Sequence, residues 1–382
     1  MRRVVIVGAR RTPQGRLLGA LSKRSAVDLA CAAGTAALAS IGAEAVQQVI
    51  VGNVVSAGLG MNIARQIGVR LGVPLASPAF TVNMMCASGM QAVLLAAAAI
   101  RSAEADVILC GGTESMSNAP YVLDRARAGL KLGDAVLTDT LLRDGLVDSF
   151  DHQHMGVSAE RLAKQYNITR AQQDAFAAES QRRYAAAAAA GQFRAELVVV
   201  DGLERDEHPR PETTLESLAK LKPAFDPTGT VTAGNAAGIN DGAALLVLCD
   251  EQTAEKHGWK PLAVIEASAA VGCDPQRMGV GPVHATRRLC DQHRLQLDDF
   301  DTVELNEAFA AQSLVCIADL KLDPARVNRD GGAIALGHPL GASGARLIVH
   351  LAHRIAAGAT RRGLATLCVG GGMGAAVSIS RL

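Results

Sequence analysis

Three side chains in this chain stand where residues of their kind can be made reactive: Cys86, His338 and Cys368. Cys86 follows the short apolar run Phe80 to Val82. It precedes Ser88-Gly89 and an alanine- and leucine-rich stretch to Ile100 that reads as a buried helix. It therefore sits at a strand-to-helix junction, where the first N–H groups lack intrahelical partners and carry partial positive charge. That placement is expected to lower the thiol pKa and, with an imidazole nearby, to turn Cys86 into a competent nucleophile. The plainer alternative is a small buried hydrophobe, the common state of a free cysteine. His338 lies between Gly337 and Pro339 in a turn-rich segment, which predicts an imidazole displayed on a loop, not packed in a core. Cys368 ends a strand at Leu367 and opens a glycine run through Gly374. Such a run lets backbone approach a ligand and leaves N–H groups free for an oxyanion, Gly370 foremost. The plainer alternative there is a buried strand-end cysteine like Cys110.

The elements that must position these groups alternate between short β-rich runs (Val4 to Val7, Val49 to Val51, Phe80 to Val82, Val107 to Cys110) and helical stretches (Ala26 to Ile41, Ala64 to Leu71, Gly89 to Ile100). This is an α/β pattern with buried strands. It also repeats. Cys86 to Ala96 aligns with Gly341 to Leu351, Val107 to Gly112 answers Thr366 to Gly371, and the first strand answers Leu262 to Ala267. Two copies of one α/β unit are separated by an insertion at about 118 to 236, and packing them face to face brings two helix N-termini toward one pocket. The insertion holds His154-Met155-Gly156, a helix from Arg170 to Ala190 and a closing segment from Leu215 to Thr232.

At 382 residues the chain exceeds one typical core, and 49% hydrophobic and 20% charged residues with a net charge of +1 describe an ordinary enzyme composition. With 3% aromatics and no basic field, nucleic-acid binding is not expected. The eight cysteines form no CxxC pair, which argues for reduced thiols in the cytoplasm and against a zinc site. No apolar run reaches the ~18 residues of a membrane helix, and Met1 leading into Val4 leaves no room for a signal peptide.

Val82 to Gly89 resembles the nucleophile motif of the thiolases, and three later blocks match that family in order: Asn306 to Phe309, Gly331 to Pro339, and Cys368 to Gly372. The resemblance implies a thiolase-like fold, two homologous α/β halves in α-β-α-β-α layers with an inserted loop domain. Residues 1–117 with about 237–260 would form the first half, 118–236 the loop domain over coenzyme A, and 261–382 the second half. It implies that Cys86 is acylated, that His338 takes its proton, that Asn306 orients a water in an oxyanion site, and that Cys368 moves the α-proton beside Gly370. His154, Met155, Phe225, Ala233, Ala236, Ala237, Met278, Ala308 and Phe309 would contact the acyl-CoA, with Met155, Phe225 and Met278 crowding a short acyl group. Arg125, Arg127 and Lys131 would suit its phosphates, though each alone reads as a solvated face or an oligomer contact.

The implied activity is acetyl-CoA C-acetyltransferase, with coenzyme A thioesters as substrates, no cofactor and no metal, in a homodimer or homotetramer. A degradative 3-ketoacyl-CoA or 3-oxoadipyl-CoA thiolase has the same catalytic set, and a non-catalytic thiolase-like carrier stands further off. Four positions depart from the family pattern: Ala237 where Ser bonds the pantetheine, Asp330 for Asn, Ile63 for Pro, and His284 where a small residue is common.

Overall fold

The computed structural model describes residues 2–382. The first half runs β1 (Val4–Arg11), β2 (Gly15–Arg16), α1 (Ala26–Leu38), β3 (Gln48–Gly52), α2 (Ile63–Arg70), β4 (Ala79–Val82), α3 (Ser88–Arg101) and β5 (Val107–Ser115). The insertion adds a hairpin, β6 (Tyr121–Leu123) and β7 (Leu137–Asp139), then α4 (Met155–Gln165), α5 (Arg170–Ala189) and α6 (Leu215–Ala219). The chain returns through β8 (Asn240–Asp250) and α7 (Glu251–His257). The second half comprises β9 (Ala263–Gly272), α8 (Gly281–His293), β10 (Thr302–Leu305), α9 (Ala310–Asp319), α10 (Ala333–Leu336), α11 (Leu340–Ala356), β11 (Arg362–Val369) and β12 (Met373–Ser380). Strand β11 carries on through Cys368 instead of stopping at Leu367.

The strand order is the duplication made visible. The first half reads β1-β8-β5-β3-β4 and the second β9-β12-β11-β10. In each, the first two neighbouring pairs are antiparallel and the next is parallel. The halves meet where Val4 to Ile6 of β1 pair antiparallel with Ala263 to Ile265 of β9. All eleven residues of β8 are buried, and its Ala243 to Cys249 accordingly read as an unbroken apolar run and not as an alternating one.

Helices α1 and α2 cover the outer face of the first half's strands, α8 and α9 that of the second, and α3 and α11 fill the middle layer between them. Glycines let the two central helices touch. A Cβ on Gly89 of α3 would stand 2.6 Å from Gly341 O and 3.0 Å from Ala345 Cβ, and one on Gly344 of α11 would stand 2.7 Å from Met90 Cβ. Gly89 and Gly344 are repeat partners, and each meets the residue that follows the other, so the contact is reciprocal. No side chain larger than hydrogen fits at either place.

The insertion is tied to the first half by Arg11, wholly buried, which donates to Glu196 at 2.6 Å and Asp206 at 2.6 Å. Arg125, Arg127 and Lys131 are exposed on the stretch between β6 and β7.

Candidate active site

Cys86 is presented by a strained turn. After β4 the chain passes Met85 at φ +46°, a left-handed conformation uncommon for a side chain of this size, and enters α3 three residues later. Ser88 Oγ holds the turn, accepting from Met84 N–H at 2.9 Å and donating to Met85 O at 2.6 Å. Asn83 Oδ1 accepts from Met85 N–H at 3.0 Å. The sulfur keeps partial access to a cavity yet is walled by protein, and it receives the backbone N–H groups of Gly370 and of Cys86 itself. The expected depressed pKa does not appear. Burial pushes the Cys86 thiol up to about 11 against those two amides, with the nearby Glu114 carboxylate adding to the rise.

His338 departs from its expectation too, since it is almost fully buried and held on all sides. Its N–H donates to Asn240 Oδ1 at 3.0 Å, and Asn240 Nδ2 donates to Gly15 O at 2.9 Å. Ser343 Oγ donates to Pro339 O at 2.9 Å and lies 2.6 Å from His338 Nδ1. With the hydroxyl proton committed to Pro339, Nδ1 is assigned the imidazole proton and Nε2 is left as the free base. Asn306 Nδ2 stands 3.5 Å from that Nε2. Burial first, then the Arg346 charge, lowers the His338 pKa to about 4, so the ring is neutral at neutral pH.

Cys368, buried at the end of β11, has its pKa raised well above the ordinary thiol value by desolvation and then by the proximity of Cys86. Cys86, His338, Cys368 and Gly370 line one cavity of about 500 Å³, a size that suits a small-molecule substrate. Asn306 is not on its wall. It stands behind His338, anchored by its N–H to Thr366 O at 3.0 Å, and its Oδ1 has no protein partner.

The same cavity is lined by His154, Met155, Phe225, Ala233, Ala236, Ala237, Met278, Ala308 and Phe309. His154 stacks on Phe225 with centroids 4.6 Å apart, and Phe309 meets Phe225 edge-on. Met155, Met278, Phe225 and Phe309 pack into one apolar cluster with Cys368. Ala237 N–H donates to Ala308 O at 3.0 Å, which zips the segment after the insertion onto the segment before α9.

Sequence reasoning missed part of this wall. Arg16, His208 and Arg210 line the cavity, whereas Arg125, Arg127 and Lys131 do not. His208 rests on Gly238, beside Ala237, with Nδ1 unpartnered; burial and then the Arg210 and Arg16 charges lower its pKa to about 4. Only the pairing of β2 with β8 puts Arg16 here. Ser343 was legible, lying five residues after His338 in the repeated Ala-Ser-Gly.

The departures also find places. Asp330 accepts from His350 Nε2 at 3.1 Å and pairs with Arg354. With Glu196 on the other ring nitrogen at 2.9 Å, it belongs to the carboxylates that raise His350 to about 10, so a neutral Asn would leave a buried cation short of charge. Ile63 is buried in the first turn of α2 and His284 is exposed on α8, and neither lines the cavity. Among the described residues no group of His, Cys, Asp and Glu converges to hold a metal.

Residues 4–252 match the family described as thiolase, N-terminal domain, and residues 259–381 that described as thiolase, C-terminal domain. An acetyl-CoA acetyltransferase of Escherichia coli is 49% identical over 393 residues, covering all of both chains. One from Pseudomonas aeruginosa is 48% identical over 392 residues, again covering all of both. Among solved structures, human mitochondrial 3-ketoacyl-CoA thiolase superposes with a TM-score of 0.97 at 44% identity, covering 100% of this chain and 99% of that one. The human enzyme has also been solved in complex with CoA.

Proposed function

Because the chain belongs to the thiolase family, we propose that it is an acyltransferase catalysing the reversible condensation of two acetyl-CoA molecules to acetoacetyl-CoA and CoA through an acetyl-Cys86 intermediate. The observation that carries this reading is the convergence of Cys86, His338, Cys368 and the Gly370 N–H on one cavity, drawn from both halves of the chain.

Burial favours the uncharged form of all three side chains in the resting site, so protons must move as substrate enters. In the first half-reaction His338 Nε2 takes the Cys86 proton while sulfur attacks the thioester carbonyl. The oxyanion is received by the N–H groups of Cys86 and Gly370. The carbon–sulfur bond to CoA breaks, and CoA leaves as a thiol with the proton of Cys368. Cys368 is then a thiolate whose high pKa makes it a strong base, and it takes the α-proton of the second acetyl-CoA. The imidazolium of His338 donates toward the enolate oxygen, together with a water that Asn306 orients. The enolate attacks acetyl-Cys86. The released Cys86 thiolate recovers its proton from His338, and each group ends as it began. No further cofactor or metal is needed, because every proton and bond is accounted for by the thioesters and these side chains.

A degradative 3-ketoacyl-CoA thiolase is the second reading, favoured by the likeness to the human mitochondrial enzyme. Thiolysis of a chain-length series with free CoA separates the two. Met155, Met278 and Phe225 fill the acyl end, so each added methylene costs about 1 to 3 kcal/mol of overpacking against roughly 0.8 kcal/mol gained by burial. The expected result is a fall in kcat/KM from four to six carbons, flattened by Met278→Ala. Level or rising values out to eight or ten carbons favour the degradative reading, and no turnover at any length favours a carrier. The proposal includes a homo-oligomer, supported by exposed Phe80 on edge strand β4 and by Tyr121, Leu132, Val136 and Leu137 in and around the β6–β7 hairpin; light scattering tests it. No described helix is long and apolar enough to cross a membrane, and the eight cysteines are all free, which supports a reducing, cytoplasmic setting.

A further inference from the structure

Glu114, at the end of β5, is wholly buried beside Cys86, and among the described residues no cation pairs with it. Instead it collects four N–H donors from two places. Asn53 Nδ2 donates at 2.7 Å, Val54 N–H at 3.0 Å and Val55 N–H at 3.2 Å, all from the loop after β3. Gly341 N–H donates at 2.9 Å from the first turn of α11, three residues past His338. The loop after β3 is itself joined to the nucleophile turn, since Asn83 Nδ2 donates to Val54 O at 3.4 Å and Asn83 Oδ1 accepts from Met85 N–H at 3.0 Å. A continuous chain of hydrogen bonds thus runs from the His338 loop in one half, through Glu114, to the Cys86 turn in the other.

We propose that Glu114 is a positioning residue for the acyl-transfer step, bracing the imidazole against the thiol across the interface of the two halves and setting the charge that the sulfur faces. Four donors and no acceptor select the carboxylate, although burial pushes its pKa up to about 7. As an anion it satisfies the open N-terminus of α11 and leaves the N-terminus of α3 to Cys86. Its charge opposes ionisation of the thiol, so that sulfur sheds its proton to His338 as it attacks and not beforehand. This rests on the acyl-transfer reading given above.

The groups facing Cys86 in the test are Glu114 from β5, Cys368 from β11, and His338 and His154 across the cavity. Glu114→Gln keeps the size, removes the charge and turns an amide donor toward the N–H groups. Single-turnover acetylation by acetyl-CoA is expected to slow on the order of 10- to 100-fold, because small misplacements of reacting groups carry penalties of that size, while KM changes less than about twofold. The pH profile of Cys86 alkylation should move to lower pH. Glu114→Asp, which retains charge but withdraws it by one methylene, should restore that profile and not the acetylation rate. Unfolding curves measured alongside give the folded fraction. If the folded Gln variant acetylates at the unmodified rate, or if its loss only tracks the unfolded fraction and its alkylation profile is unmoved, the brace is refuted. Absence of acetylation in the unmodified protein would instead refute the acyl-transfer reading.

Discussion

The N-termini of α3 and α11 are built from the same repeated residues and put to different use. At α3, Ser88 Oγ holds the backbone of Met84 and Met85, and the strained turn this creates displays Cys86. At α11 the repeat partner, Ser343, donates to the carbonyl four residues back, that of Pro339, where Ser88 donates three back, and its second contact is the His338 ring. Extending the repeat places His338 opposite Asn83 and Gly341 opposite Cys86. The α3 terminus is open to the sulfur, whereas the α11 terminus is occupied by Glu114. Duplication supplied two equivalent helix ends facing one cavity. In the proposed reaction one end carries the nucleophile and the other the base, a difference that lies in the few side chains at each end and in what fills the charge there.

The sharpest way to break this division of labour is Cys368→Ser. If the first half's Cys86 carries the acyl group and Cys368 protonates the departing CoA and then moves the α-proton, this variant still accumulates the acetyl adduct, more slowly than the unmodified protein, while steady-state turnover falls by roughly 100- to 10,000-fold, the usual worth of an acid–base group. Mass measurement of the intact protein after acetyl-CoA reads the first quantity. Loss of the acetyl adduct in a folded variant would mean the roles are misassigned.

A second test concerns the reciprocal contact of the two helices. Gly89→Ala and Gly344→Ala should each destabilise by about 1 to 3 kcal/mol, because the new Cβ would stand 2.6 to 2.7 Å from atoms of the other helix. This reverses the gain of about 1 kcal/mol that alanine brings to a helix interior. Thermal unfolding reads it, and stabilisation by either change would show that the helices do not rely on this close approach.

The pH dependence of Cys86 alkylation asks whether the open α3 terminus or burial governs the thiol. With its pKa pushed up to about 11, iodoacetamide labelling should climb from about pH 7 to about pH 10 without levelling off, and prior acetyl-CoA should protect it. A plateau below about pH 8 would hand the decision to the helix terminus.

The smallest effect is expected outside both repeats. Ala237→Ser restores a hydroxyl at the cavity wall and should lower the KM for CoA roughly two- to tenfold, about 0.5 to 1.5 kcal/mol for one hydrogen bond. His208, unpartnered beside it, is the side chain to watch. An unchanged KM that becomes sensitive to Ala237→Ser only after His208→Ala would show that the imidazole already fills the place.

What the sequence determined by itself was local or periodic. The alternation of runs and the repeat of Cys86 to Ala96 in Gly341 to Leu351 stated the duplicated α/β unit, and short blocks carried Cys86, His338, Cys368 and Gly370, because a turn, a helix start and a glycine run are properties of neighbouring residues. Tertiary structure alone decided the rest. Glu114 meets Gly341 across 227 positions, His338 leans on Asn240 across 98, and Arg16 and Arg210 replace the basic residues of the exposed β6–β7 stretch at the cavity. It also reversed the sign of the Cys86 shift. Helix position is readable along the chain, but desolvation is set by how much protein from both halves closes around the sulfur, and at this site that burial outweighs the amides that favour the thiolate.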